Sequence, residues 1–124
     1  MASIQITLIA SARIPMTLYL EAVEITGREG GPSWGQLVAW TCEDHKADVI
    51  RQLGIEATPV ERVPRGRPAP RKQLQPIAAR MTEPEAECFN RVKIAASEAL
   101  VETPSNARIV EAALRVAVRQ SQDH

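Results

Sequence analysis

Apolar and polar residues alternate with a period of two in two short stretches of the chain, and this alternation predicts two β-strands, each with one face on a core. In the first stretch the predicted inward residues are Ala10, Ala12 and Ile14, and the predicted outward residues are Ile9, Ser11 and Arg13. In the second stretch the inward residues are Ile77, Ala79 and Met81, and the outward residues are Pro76, Ala78 and Arg80. Since Pro76 has no N–H to donate, we expect regular strand pairing to begin after it.

Helical spacing of apolar residues follows each predicted strand. The first helix begins after Pro15, and its apolar stripe is Tyr19, Val23 and Thr26, flanked by Leu20 and Ala22. The helix is predicted to end at Gly27 and the following Gly-Gly-Pro. Ser33 and Gln36 then form a capping box that starts a second helix. The predicted buried side of that helix is Leu37, Val38, Thr41, Cys42, Val49 and Leu53.

The second half of the chain has the same order of signals. Thr82 and Glu85 form a capping box with a proline in the first turn, and Ser105 caps the last helix. The predicted stripe of the first of these helices is Phe89, Val92, Ala96 and Leu100. The predicted buried side of the last helix is Ile109, Val110, Ala113, Leu114 and Ala117.

The two halves can be aligned on each other. Ala12-Arg13-Ile14-Pro15 matches Ala79-Arg80-Met81-Thr82, and Pro32-Ser33 matches Pro104-Ser105. One such strand-helix-helix unit cannot bury its apolar face alone, so the two must pair. We therefore expect a mostly helical α+β domain over residues 1–124, with a two-stranded antiparallel ribbon and a four-helix core. The first repeat is 4–53, the connector 54–70 and the second repeat 71–121.

The charge of the chain is uneven although its sum is zero. Fifteen Lys and Arg residues balance fifteen Asp and Glu residues, yet residues 55–72 carry five basic and two acidic side chains, a net charge of +3. Four prolines in the same stretch exclude a regular helix and predict an extended, exposed connector. Pro64-Arg65-Gly66-Arg67-Pro68 resembles the core of an AT-hook, whose arginines lie in a narrow minor groove. The alternative is a basic linker of no defined structure. In either case its cations are expected to add salt-dependent affinity for DNA; they are Arg62, Arg65, Arg67, Arg71 and Lys72, with Gly66 between them.

Little in the sequence points to catalysis. His45 and His124 have no nucleophile or metal ligand at a useful spacing, so no enzyme, metal or cofactor is expected. Cys42 and Cys88 lack metal-site spacing and are predicted to be reduced core residues. No long apolar run or signal peptide is present, which favours a soluble cytoplasmic protein. Trp34 and Trp40 are candidates either for interface anchors or for partly buried core residues.

The ordered repetition resembles the ribbon-helix-helix DNA-binding family over nearly all of the chain apart from the connector. In that family two subunits each contribute one strand to an antiparallel ribbon that enters the major groove. The resemblance here is to a single-chain, pseudo-dimeric version. It implies a cytoplasmic, monomeric, non-catalytic accessory protein of plasmid or T-DNA transfer, of the relaxosome type and associated with virulence. Its implied partners are double-stranded DNA and a relaxase or a ParA-like ATPase. No contact with a membrane is implied.

The resemblance also implies two sets of contact residues. The outward ribbon face would contact bases through Ile9, Ser11, Arg13, Ala78 and Arg80. The starts of the second helices would contact phosphates through Ser33, Trp34, Ser105 and Asn106. Ala78 and Pro76 are less polar than the usual members of such a reading face, so base contacts are expected to be few and asymmetric.

Two alternatives to a transfer factor remain. A transcriptional repressor would use the same fold, whereas an antitoxin is disfavoured because the chain ends with its last helix. The other alternative is a protein–protein adaptor whose basic connector binds an acidic partner.

Overall fold

A two-stranded antiparallel ribbon lies on five helices. The computed structural model describes residues 5–57 and 73–122. In chain order the elements are β1 (Ile6–Pro15), α1 (Met16–Thr26), α2 (Trp34–Asp44), α3 (Lys46–Ala57), β2 (Leu74–Thr82), α4 (Glu83–Leu100) and α5 (Asn106–Gln122). The α+β, mostly helical class is therefore confirmed.

The two strands of the ribbon bury one face and expose the other, as their alternation predicts. Ala10, Ala12 and Ile14 are buried, and so are Ile77, Ala79 and Met81. We expected regular pairing to begin only after Pro76, and this expectation is wrong. The ladder continues past Pro76 to the pair formed by Pro15 and Leu74. A register shift between Ile6 and Leu8 interrupts the other end of the ribbon, and Ile6 is 42% exposed there.

The helices cover the buried face of the ribbon in a crossed arrangement. Of the two strands, α2 packs on β2 and α5 packs on β1, so each strand is covered by a helix from the other half of the chain. The largest fully buried side chains include Ile14, Met81, Phe89, Ile109 and Leu114. Buried residues of both strands and all five helices therefore form one core.

The predicted second helix of the first half is two helices, so the expected four-helix core is wrong. The helix stops at His45, whose backbone has φ −130° and ψ 37°. Glu43 and Asp44 lie at the C-terminal end of α2, where the helix dipole disfavours negative charge, whereas Asp48 lies in the first turn of α3, where it is favoured. The break keeps the buried residues in phase, and α3 then continues to Ala57, past the predicted boundary at Gly54.

The helix α1 buries a different stripe from the predicted one. Leu18 and Ala22 are its buried residues, whereas Tyr19 and Val23 are only partly buried and Leu20 is 55% exposed. The predicted buried sides of α2, α3 and α5 are confirmed, as are Phe89, Val92 and Ala96 of α4.

Candidate nucleic-acid interface

The outward face of the ribbon presents all five residues predicted to contact bases. Ile9, Ser11, Arg13, Ala78 and Arg80 are exposed. Across the ladder Ile9 pairs with Arg80, Ser11 pairs with Ala78, and Arg13 pairs with Pro76. The two arginines therefore lie on either side of the central Ser11–Ala78 pair.

The spacing of the two arginines is set by the strand register. Arg13 lies opposite Pro76, which is four residues from Arg80 on the same strand. With a rise of about 3.3 Å per residue, the two side chains start about 13 Å apart along the ribbon. Within residues 5–57 and 73–122, neither guanidinium forms an ion pair or a hydrogen bond. No described residue therefore occupies their N–H donors, which are suited to an acceptor on a ligand.

Ser33 starts α2 through the predicted capping box. Its N–H donates to Gln36 Oε1 at 3.0 Å, and its Oγ accepts from the Gln36 N–H at 3.2 Å. The N–H groups of Trp34 and Gly35 belong to the first turn and have no intrahelical acceptor. These two donors and the positive end of the helix dipole are suited to a phosphate.

Trp34, the next predicted phosphate contact, is held by a ring partner. Its indole stacks on Tyr19, with ring centroids 5.9 Å apart and planes 27° from parallel. The stack joins the start of α2 to α1 and leaves the indole half-buried. The backbone of Trp34, more than its side chain, is thus available to an anion.

The start of α5 has a similar cap but more positive charge. Ser105 Oγ accepts from the Arg108 N–H at 3.3 Å, and Asn106 Oδ1 accepts from Lys93 Nζ at 2.9 Å. Sequence reasoning missed both cations. Arg108 stands where the first half has Gln36, three residues after the cap, and that mismatch was a usable signal. Lys93 comes from α4, and only the tertiary packing reveals it.

Gly35 sets the distance between α2 and the ribbon. A Cβ at this position would overlap the backbone carbonyl oxygen of Arg80 and lie 2.6 Å from its carbonyl carbon. The start of α2 therefore packs directly on the backbone of a residue whose side chain lies on the outward face. This contact fixes the helix terminus relative to the candidate base-contacting surface.

The predicted connector residues Arg62, Arg65, Gly66, Arg67, Arg71 and Lys72 lie outside the described residues. Their role as an AT-hook or as a basic linker remains a prediction.

The thiols are not arranged for chemistry. Burial raises the pKa of the Cys42 thiol to about 12, with a smaller contribution from Cys88. The pKa of Cys88, which is only partly buried, is also raised, first by desolvation and then by the nearby Glu43 carboxylate. Both thiols are thus held in the protonated, unreactive form. Within the described ranges no cluster of three or more His, Cys, Asp or Glu side chains could hold a metal ion.

None of the helices in the described part of the chain is long and apolar enough to cross a membrane. In comparisons with known proteins, the chain matches no family model, no curated protein and no solved structure.

Proposed function

We propose that this chain binds double-stranded DNA by inserting the outward face of its ribbon into the major groove, as a single-chain pseudo-dimer of two strand-helix-helix repeats. The observation that carries the proposal is the strand register. The sequence alignment of the two halves matches Ser11 with Ala78, and the ladder independently pairs these same two residues. In a two-fold symmetric ribbon, equivalent residues of the two strands meet at the axis.

The helix packing supports the same two-fold relation. The helix α2 packs on β2 and α5 packs on β1, so the exchange is reciprocal. Both helices also begin at a serine that accepts a hydrogen bond from the backbone N–H three residues later. A pseudo-two-fold axis through the Ser11–Ala78 pair would place one helix start on each side of the ribbon.

The chemistry of the outward face suits base edges. Arginine donates two parallel hydrogen bonds to guanine O6 and N7, and apolar side chains contact the thymine methyl group. Arg13 and Arg80 would supply the first kind of contact, and Ile9 and Ala78 the second. The helix starts at Ser33 and Ser105 would bind phosphates on either side, the latter more strongly because of Lys93 and Arg108.

The resemblance stated above suggests the biological setting. We place the chain among accessory proteins of plasmid or T-DNA transfer, which mark a DNA site without catalysis and bring a relaxase or a ParA-like ATPase to it. A repressor of the same fold would bind at a promoter and not at a transfer origin, so the location of the preferred site distinguishes the two.

The test is a fluorescence anisotropy titration on a duplex of about 30 base pairs that the wild-type chain selects from a random pool. Arg13→Ala/Arg80→Ala is compared with Arg51→Ala/Arg91→Ala, which removes the same charge from two exposed helix arginines paired with Asp48 and Glu87. At about 1–3 kcal/mol for each bidentate contact, we expect the ribbon variant to lose at least 30-fold in affinity and to lose sequence preference.

The salt dependence gives a second readout. Arg65→Ala/Arg67→Ala is expected to weaken binding to all duplexes alike and to reduce the slope against salt concentration by up to about 2. The ribbon variant should instead lose more affinity for the selected duplex than for unrelated duplexes. Absence of binding by the wild-type chain at low salt, or equal losses in the ribbon and control variants, would refute the proposal.

A further inference from the structure

A groove of about 180 Å³ lies between α2, the end of α1 and the end of α5. Its apolar lining includes Ile25, Leu37 and Ala117, and Trp40 lies along it with 49% of its surface exposed. Asp44 and His45 line the groove at the end of α2. No strand residue takes part, so the groove is separate from the candidate DNA-binding face.

The groove is the counterpart, in the pseudo-two-fold relation of the two halves, of the surface on which α3 packs. We call each of these two surfaces a seat. The helix α3 packs on α5, α4 and α2, and it inserts the fully buried Val49 and Leu53. In the alignment of the two halves, α5 corresponds to α2 and α4 corresponds to α1. The counterparts of α5, α4 and α2 are therefore α2, α1 and α5. Those are the three helices that line the groove.

Within the described residues, α3 covers its own seat on α5, whereas no helix covers the corresponding seat on α2. Counted from the caps Ser33 and Ser105, Trp40 corresponds to Ala112 and Asp44 to Val116. Ala112 and Val116 are fully buried, whereas Trp40 and Asp44 are exposed. The helix α5 has no exposed residue from Asn106 to Val118, while α2 presents a free aromatic and acidic side.

The charge around the groove is negative. Asp44 lines the groove, and Glu21 and Glu24 line a second, smaller cavity that shares Ile25 and Ser121 with it. Arg28 lines this smaller cavity as well. Neither Asp44 nor Glu24 forms an ion pair with another residue of the described ranges.

We propose that this groove binds a basic amphipathic helix of a partner protein, in the way that α5 binds α3. Aliphatic side chains four residues apart would fill the apolar floor beside Trp40, like Val49 and Leu53, the buried residues of α3. Lysine or arginine side chains on the helix would face Asp44 and Glu24. A chain that binds DNA through its ribbon would thereby hold a second protein on its opposite, helical side.

The probe is a capped peptide with the sequence of residues 46–57 carrying Asp48→Lys and Glu56→Lys. It keeps the two aliphatic anchors and replaces both acidic residues. Binding to the full chain is followed without DNA by the two tryptophan indole N–H signals in a ¹H–¹⁵N correlation spectrum, assigned with Trp40→Phe. Trp34, stacked on Tyr19 at the start of α2, is the internal control.

We expect the probe to shift the Trp40 indole signal and to leave that of Trp34 in place. In a calorimetric titration with the same probe, which does not depend on the indole signal, Trp40→Ala should weaken binding about 30-fold or more, as loss of a central aromatic anchor does. Asp44→Lys should weaken it about tenfold, since it replaces attraction with repulsion. Ile94→Ser, at an isoleucine on α4 that is 62% exposed, is the matched surface control and should change nothing.

Three results would overturn the proposal. One is the absence of a Trp40 shift at millimolar probe. Another is equal binding by a peptide that also carries Val49→Ser and Leu53→Ser, since the anchors would then be irrelevant. The third is a Trp40 shift that follows protein concentration alone, which would assign the groove to a second copy of this chain. Because no DNA is present, none of these results bears on DNA binding.

Discussion

The contact between Gly35 of α2 and the backbone of Arg80 gives a prediction that can be worked out in detail. In Gly35→Ala the new methyl group would overlap the carbonyl oxygen of Arg80 and lie 2.6 Å from its carbonyl carbon. An ordinary carbon–carbon contact is about 3.5–4.0 Å, so α2 must move away from β2 by roughly 1 Å or more. The obstacle is backbone, which cannot change rotamer to make room.

The expected size of the effect follows from two opposing contributions. Overpacking of this kind costs about 1–3 kcal/mol, and here the upper part of that range applies because both partners are backbone. Alanine regains about 1 kcal/mol of helix propensity over glycine. We expect a net loss of about 2 kcal/mol in the free energy of unfolding, or roughly 6–8 °C in Tm for a domain of this size.

Gly54→Ala is the matched control, because it makes the same substitution in α3. A Cβ there would meet Leu100 Cδ2 at 3.6 Å, an ordinary van der Waals distance. This variant should therefore be more stable than the wild type by up to about 1 kcal/mol. Urea denaturation followed by circular dichroism measures both. A Gly35→Ala variant that is as stable as Gly54→Ala, or more stable, would refute the reasoning from the Arg80 contact.

Two further predictions concern single residues. Val101 ends α4 in the left-handed region, with φ 57° and 92% of its surface exposed. Because glycine adopts this conformation without strain, Val101→Gly should raise the free energy of unfolding by roughly 0.5–1 kcal/mol. Val101→Ala is the control and should raise it much less. Because burial raises the pKa of Cys42 from 9.0 to about 12, the thiolate is favoured only in the unfolded chain, and stability should fall between these values as pH rises. Cys42→Ala should reduce that slope by up to about 1.4 kcal/mol per pH unit, and an unchanged slope in urea titrations would contradict it.

The parts of the fold that could be predicted are those where local pattern and tertiary packing agree. In the ribbon, alternation alone separates the inward from the outward residues, since one face must be buried. Ser33 and Thr82 each precede a glutamine or glutamate at the third position, and the reach of those side chains to the cap is local. Gln36 and Glu85 accept from the cap N–H at 3.0 and 2.9 Å.

The parts that could not be predicted depend on contacts remote in sequence. The helix α1 is apolar on several sides, so its periodicity cannot choose between the Tyr19 and the Leu18 stripe, and packing against α5 makes the choice. The break at His45 preserves the helical spacing of the buried residues Cys42, Val49 and Leu53, so the periodicity of the sequence does not reveal the break. Only the local charges indicated it. The role of Gly35 could have been suspected from a glycine within a helix, although not its contact with Arg80.

The two halves differ more on the helical side of the molecule than on the ribbon. On the ribbon the halves differ by small substitutions, Ser11 against Ala78 and Ile9 against Pro76, and the proposed function predicts that these change the bases preferred at each half-site. On the helical side the difference is a whole element, because α3 covers α5 and no described residue covers Trp40 in the corresponding way. A symmetric pair of subunits would either fill both seats or leave both open. A single chain can fill one and leave the other to a partner, so the two proposals together predict that a chain bound to DNA through its ribbon recruits one partner molecule and not two.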